Sequence, residues 1–158
     1  EKAWERYTDF LTPLGQAVPE EALLGYHLCY GTFPQWPMYE ADDMGLVVQM
    51  ANAAVTGAGR QVDFLHLAGP TSLRSDDDAF YAPLQDLDVA DARVFLGLAM
   101  NADGAAGLKI REARARRYLA DFGVANYCGF GRQPGAAPLE TLRAHRKLVD
   151  TFRTASGG

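Results

Sequence analysis

Four short apolar segments alternate with four amphipathic ones, and this alternation confines the chain to a small set of folds. Leu23-Leu24-Gly25-Tyr26-His27-Leu28-Cys29-Tyr30 is short, apolar and closed by Gly31, as a buried strand is. Val62-Asp63-Phe64-Leu65-His66-Leu67, Arg93-Val94-Phe95-Leu96-Gly97-Leu98-Ala99 and Val124-Ala125-Asn126-Tyr127-Cys128 have the same character. Between them, apolar residues recur every three or four positions. Met44, Val47, Val48, Ala51 and Val55 mark a helix ending near Gly57 and Gly59. A short helical turn is expected from Ala79 to Leu87. Leu108, Ala115, Leu119 and Phe122 mark a further helix, and a final one starts near Pro138 with Leu142, His145, Val149 and Phe152 inward. An opening helix over 1–19 carries Trp4, Tyr7, Leu11 and Leu14 on one stripe, and Pro19 helps to end it. The order is therefore one helix and then four βα units. Near-continuous apolar strands that alternate with helices require a parallel sheet covered by helices, an α/β architecture. An open doubly wound sheet usually carries a glycine-rich phosphate loop after its first strand. Here that strand runs into Tyr30-Gly31-Thr32-Phe33-Pro34, which lacks the fingerprint. Gly129-Phe130-Gly131 is a weaker phosphate-loop candidate, and the pattern alone leaves open sheet and half of a (βα)8 barrel both standing.

The 158 residues are 48% apolar and 22% charged, enough for one domain with a core, so global disorder is excluded. A net charge of -5 without a basic stripe argues against nucleic acid as a partner. No apolar run approaches the roughly 18 residues of a membrane span. The opening Glu1-Lys2-Ala3-Trp4-Glu5-Arg6 is not a signal peptide, and its lack of an initiator Met leads us to expect a processed product or a piece of a longer chain. A cytoplasmic protein is expected, in which the two cysteines, Cys29 and Cys128, are thiols.

Those thiols carry the chemistry. Residues two apart in a strand share a face, so His27 and Cys29 point the same way near one strand end. Cys128 closes the fourth strand, and in a parallel α/β fold the strand C-termini gather on one rim. An imidazole and two thiolates form a zinc donor set, and three protein ligands with an open fourth place are its catalytic form.

His27-Leu28-Cys29-Tyr30 resembles the H-x-C-Y motif of cobalamin-independent methionine synthases, and Cys128-Gly129 resembles their final Cys-Gly ligand motif. Val62-Asp63-Phe64-Leu65-His66, Asp77-Asp78-Ala79-Phe80, Pro83-Leu84, Leu96-Gly97-Leu98, Asp103-Gly104 and Gly129-Phe130-Gly131-Arg132 extend the likeness along the chain. The pattern is closest to the shorter methionine-synthase-like proteins of that superfamily. The resemblance implies a TIM-type barrel of which this chain is the C-terminal half, its fifth to eighth βα units. It also implies Zn2+ on His27, Cys29 and Cys128, and alkyl transfer, such as methyl transfer, to a substrate thiol. The chain departs from the family where Ala68 stands near the expected Glu ligand, where Met100 replaces a His, and where Asn126-Tyr127 replaces Thr-Glu. His66, two residues before Ala68 on the same strand face, is the candidate replacement ligand or catalytic contact.

Further candidates lie around this centre. Arg132 is a candidate for binding a substrate carboxylate or phosphate. Trp36 and Phe33 are candidates to cover an apolar substrate. Asp77 or Asp78 either contacts substrate or, as we favour, caps the helical turn at Ala79. His145 on the apolar stripe reads as structural. The expected partners are a small-molecule thiol, an alkyl donor and the N-terminal half of the barrel, in this chain or another. Two rival functions remain: a metal-free lyase or decarboxylase on the same barrel, and a non-catalytic half-barrel subunit that pairs with another chain.

Overall fold

A computed structural model describes residues 2–31, 34, 37–70, 77–128 and 135–155. Trp36, Phe33, Arg132 and the Gly129-Phe130-Gly131 turn lie outside the described residues. The elements, in order, are α1 (Lys2–Ala17), β1 (Gly25–Leu28), α2 (Gly45–Gly57), β2 (Phe64–Ala68), α3 (Asp78–Tyr81), β3 (Arg93–Ala99), α4 (Gly104–Ala115), β4 (Gly123–Asn126) and α5 (Ala137–Ala155). A 3-10 turn, Ala82–Asp86, continues α3, and Pro83 supplies the fixed φ suited to its start. All three strand pairings are parallel, and the order is β1-β2-β3-β4. The fold is therefore α/β with sequential βα units, without the strand-order reversal at which open doubly wound sheets bind their ligands.

The two faces of the sheet differ because side chains alternate. Tyr26 and Leu28 are level with Leu65 and Leu67, and these with Val94 and Leu96. This face joins Val47, Val48, Ala51 and Ala54 of α2 and Leu108 and Ala115 of α4 in one core. Each large aliphatic side chain buried there contributes on the order of 2 kcal/mol of hydrophobic transfer. The opposite face carries Gly25, His27, Phe64, His66, Arg93, Phe95 and Gly123. A Cβ on Gly25 would lie 2.1 Å from the Phe64 ring, and one on Gly123 would lie 2.5 Å from Phe95. The edge strands thus lack side chains where the central rings lie over them, and the rings meet edge to face at 6.3 Å. A cavity of about 640 Å³ opens on this face, lined by Leu23, Phe64, His66, Arg93, Phe95 and Ala125 among others.

Several sequence expectations shift by a turn. Leu11 of the α1 stripe is buried, but Trp4 and Leu14 are exposed. The helix meets α2 through Gly15, where a Cβ would lie 2.0 Å from the Ala58 carbonyl oxygen. α4 ends at Ala115, so Leu119 and Phe122 belong to the connection that follows it. In α5, Leu142 is exposed, whereas Thr141 and Leu148 are buried. Arg111 of α4 is wholly buried, donating to the Leu98 carbonyl at 2.8 Å and to both Asp103 carboxylate oxygens at 2.6 and 2.7 Å. The bond to Leu98 fastens the end of β3 to the helix that follows, and the bidentate pair ties Asp103 at the start of that helix to the same guanidinium.

Candidate metal centre

The centre is assembled from strand ends. β1 stops at Leu28, and Gly31 turns the chain with φ of +80°, a conformation that favours glycine. The turn aims the Gly31 N–H back at Cys29 Sγ, 3.3 Å away. Backbone hydrogen bonds from Met38 to Gly31 and from Tyr39 to Tyr30, each 3.0 Å, hold the returning chain beside it.

His27 projects from the second sheet face and meets Cys128, which follows β4: its Nε2 is 3.0 Å from Cys128 Sγ. Three strand spacings separate β1 from β4, about 14 Å in a flat sheet. That is longer than an imidazole and a thiol reach together, so the strand ends turn in over this face. One ligand atom from each of His27, Cys29 and Cys128 lies within 4.8 Å of the other two, and the group could hold a metal ion. The separation of these residues in sequence is thereby closed by the fold.

His66 approaches from the next strand. It is level with His27 in the β1–β2 register, and the two Nδ1 atoms are 2.9 Å apart with ring centroids at 4.6 Å. The His66 pKa is pushed down to about 4, first by burial and then by the neighbouring His27; the Asn126 backbone acts the other way, and His145 lowers it further. His66 Nε2 is buried without a hydrogen-bond partner among the described residues. Burial also lowers the pKa of His27, whose ring is partly desolvated although the residue as a whole is exposed. Both rings are therefore neutral near pH 7, the state in which an imidazole can ligate a metal.

A cavity of about 440 Å³ adjoins the group, lined by His27, His66, Ala125, Asn126, Cys128, Thr141, Leu142 and His145. His145, which the apolar stripe marked as structural, faces this cavity, and burial lowers its pKa. Its Nδ1 and both polar side-chain atoms of Asn126 are buried without hydrogen-bond partners. Their meeting in one cavity is not legible in the sequence, which marks His145 as structural and Asn126 only as a departure from the family pattern. The available signal was the spacing of Thr141, His145, Leu148 and Phe152, which puts a histidine on the inward stripe of the last helix.

Asp77 has a different place. Its carboxylate accepts the Ala79 N–H at 3.0 Å as the N-cap of α3, as favoured above, and it does not line the cavity. Asp78 pairs with Arg114 and Arg117 of the neighbouring α4 region. Met100 is buried just after β3, and Ala68, buried at the end of β2, has no donor atom in its side chain.

The chain matches no protein-family model, no curated protein and no solved structure. No helix among the described residues is long and apolar enough to cross a membrane.

Proposed function

We propose that this chain is the C-terminal half of a methionine-synthase-like TIM-type barrel and that it acts in zinc-dependent alkyl transfer to a substrate thiol. The observation that carries the reading is the convergence of His27, Cys29 and Cys128 within 4.8 Å at the ends of two strands distant in sequence. One imidazole and two thiolates suit Zn2+, and three protein ligands leave a fourth position for substrate. Zn2+ held there supplies the acidity that keeps a substrate thiol as a nucleophilic thiolate at neutral pH. The chain's own residues do the rest. The Gly31 N–H holds Cys29 Sγ in place, and His27 and Cys128 would supply the other two donor atoms. The adjoining cavity, with its Asn126, Thr141 and His145 side chains, receives and orients the body of the thiol. Sequential βα order and a second sheet face with an open cavity support the half-barrel reading. The alkyl donor then belongs to the side completed by the N-terminal half.

The test is thioether formation by zinc-loaded protein from a small thiol and methyl iodide, read by mass spectrometry against free thiol. Acceleration that Cys128→Ser returns to background supports the reading. A protein that holds zinc but leaves the rate at background refutes alkyl transfer.

A second reading, the non-catalytic half-barrel subunit, is favoured by the cavity between Leu23, Phe64 and Phe95, which would be interior surface in a closed barrel. It predicts an obligate complex, whereas a monodisperse monomer in gel filtration contradicts it. The metal-free lyase is excluded if Cys29→Ser abolishes both metal uptake and activity.

A further inference from the structure

The two histidines of the β1–β2 pair meet through the nitrogens that a metal on the thiol side would leave free. His27 Nε2 faces Cys128 Sγ at 3.0 Å, and His27 Nδ1 faces His66 Nδ1 at 2.9 Å. The two nitrogens of an imidazole point in divergent directions, so an ion on Nε2 lies away from His66. Consistently, His66 does not join the group whose ligand atoms fall within 4.8 Å of one another. A 2.9 Å contact between two ring nitrogens needs one proton, donated by one ring and accepted by the other. If His27 is to offer its Nε2 lone pair to an ion, its proton sits on Nδ1 and His66 Nδ1 accepts it. His66 then carries its own proton on Nε2, a buried atom without a hydrogen-bond partner among the described residues.

We propose that His66 is a positioning residue that fixes His27 as the Nδ1–H tautomer, aiming its Nε2 at Cys128, and is not a fourth ligand. The proposal deepens the zinc reading and rests on it for its consequence, and it extends to the metal-free chain a tautomer that the ring contacts permit. In that form the Cys128 thiol donates to His27 Nε2 at 3.0 Å, and metal binding by the pair would release that proton to solvent. The register dictates the arrangement, because directly paired residues on parallel strands keep both rings on one face at one height. Metal-binding histidines generally need such an outer partner, and its loss typically lowers metal affinity 10–100-fold.

Two measurements test this. Long-range proton–nitrogen-15 correlation spectra of the imidazoles report tautomers directly in the reduced, metal-free protein. His27 is expected as Nδ1–H and His66 as Nε2–H. A His27 ring protonated on Nε2 instead overturns the proposal whether or not the protein binds metal. Co2+ titration of the full chain then separates positioning from ligation. His66→Leu removes the acceptor and should weaken Co2+ binding about 10–100-fold while leaving the thiolate-to-metal bands in place. His66→Asn puts a carbonyl oxygen close to where Nδ1 stood and should restore affinity to within a few-fold. An Asn variant as weak as the Leu variant, or d–d bands that change coordination type in either, would make His66 a ligand and refute positioning. Wild-type protein that takes up no Co2+ sinks the metal reading, and the tautomer spectra still decide this one.

Discussion

Removing either partner of the Arg111–Asp103 pair destabilises the fold, but by unequal amounts, because what each deletion leaves behind differs. The Arg111 side chain is 0% exposed and that of Asp103 is 27% exposed. Asp103→Ala strips the carboxylate from a guanidinium that has no access to water, and losing one partner of a buried pair costs about 3–5 kcal/mol. Arg111→Met keeps most of the buried stem volume and leaves behind a carboxylate that can hydrate. With that carboxylate rehydrated, the remaining cost is carried mainly by the buried Leu98 carbonyl, which loses its Arg111 donor, and comes to about 1–3 kcal/mol. The double variant Asp103→Ala/Arg111→Met should then lie close to Arg111→Met alone, since no buried charge remains. Urea unfolding followed by far-ultraviolet circular dichroism at pH 7 measures all three, with an unchanged m-value as the control for two-state behaviour. Equal losses in the two single variants, or a larger loss for Arg111→Met, would show that desolvation of the guanidinium does not govern this pair.

Stability should also fall in weak acid. His66 has its pKa lowered to about 4, so from pH 6.5 down to about 4 the unfolded chain binds a proton that the folded chain refuses. The stabilisation is complete above pH 6.5 and lost as pH falls through that window, by at most about 3 kcal/mol; His27 and His145 act in the same direction. Urea midpoints at a series of pH values should show a shallower fall for His66→Asn than for the wild type, and parallel profiles would contradict the assignment. Gly15→Ala should cost about 2–3 kcal/mol, the scale of overpacking, because its Cβ would sit 2.0 Å from the Ala58 carbonyl oxygen, a backbone atom that cannot swing away as a side chain can. A melting temperature unchanged by that substitution would mean that α1 does not pack tightly on α2.

The strands were legible because apolar, β-branched and aromatic runs of strand length stand between turn residues; Arg93–Ala99 is recovered with its bounds unchanged. The α2 stripe was legible for the same reason, with Met44, Val47, Val48 and Ala51 all buried. The outer helices were less so. Leu14 and Leu142 fit an apolar period yet remain exposed, while Thr141 is buried, because the inward face of a helix is set by what it meets and not by its own sequence. In the centre, the H-x-C spacing placed His27 and Cys29 together, and topology placed Cys128 with them. The His27–His66 contact depends on strand register, which single-strand patterns do not encode. The cavity role of His145 depends on how α5 lies beside β4, which is tertiary information. Asp77 illustrates the opposite case, where local chemistry sufficed: an Asp two residues before an N–H that needs an acceptor is a cap.

The central claim is that His27, Cys29 and Cys128 form one zinc centre. A chelator-competition titration of the fully reduced protein with Zn2+, with thiol reactivity toward a disulfide reagent followed in parallel, tests it most directly. The account predicts a single tightly bound Zn2+ per chain, protection of both thiols by the same equivalent of metal, and loss of tight binding in Cys29→Ser. Both thiols remaining fully reactive in excess Zn2+, or stoichiometric zinc unaffected by Cys29→Ser, would contradict it.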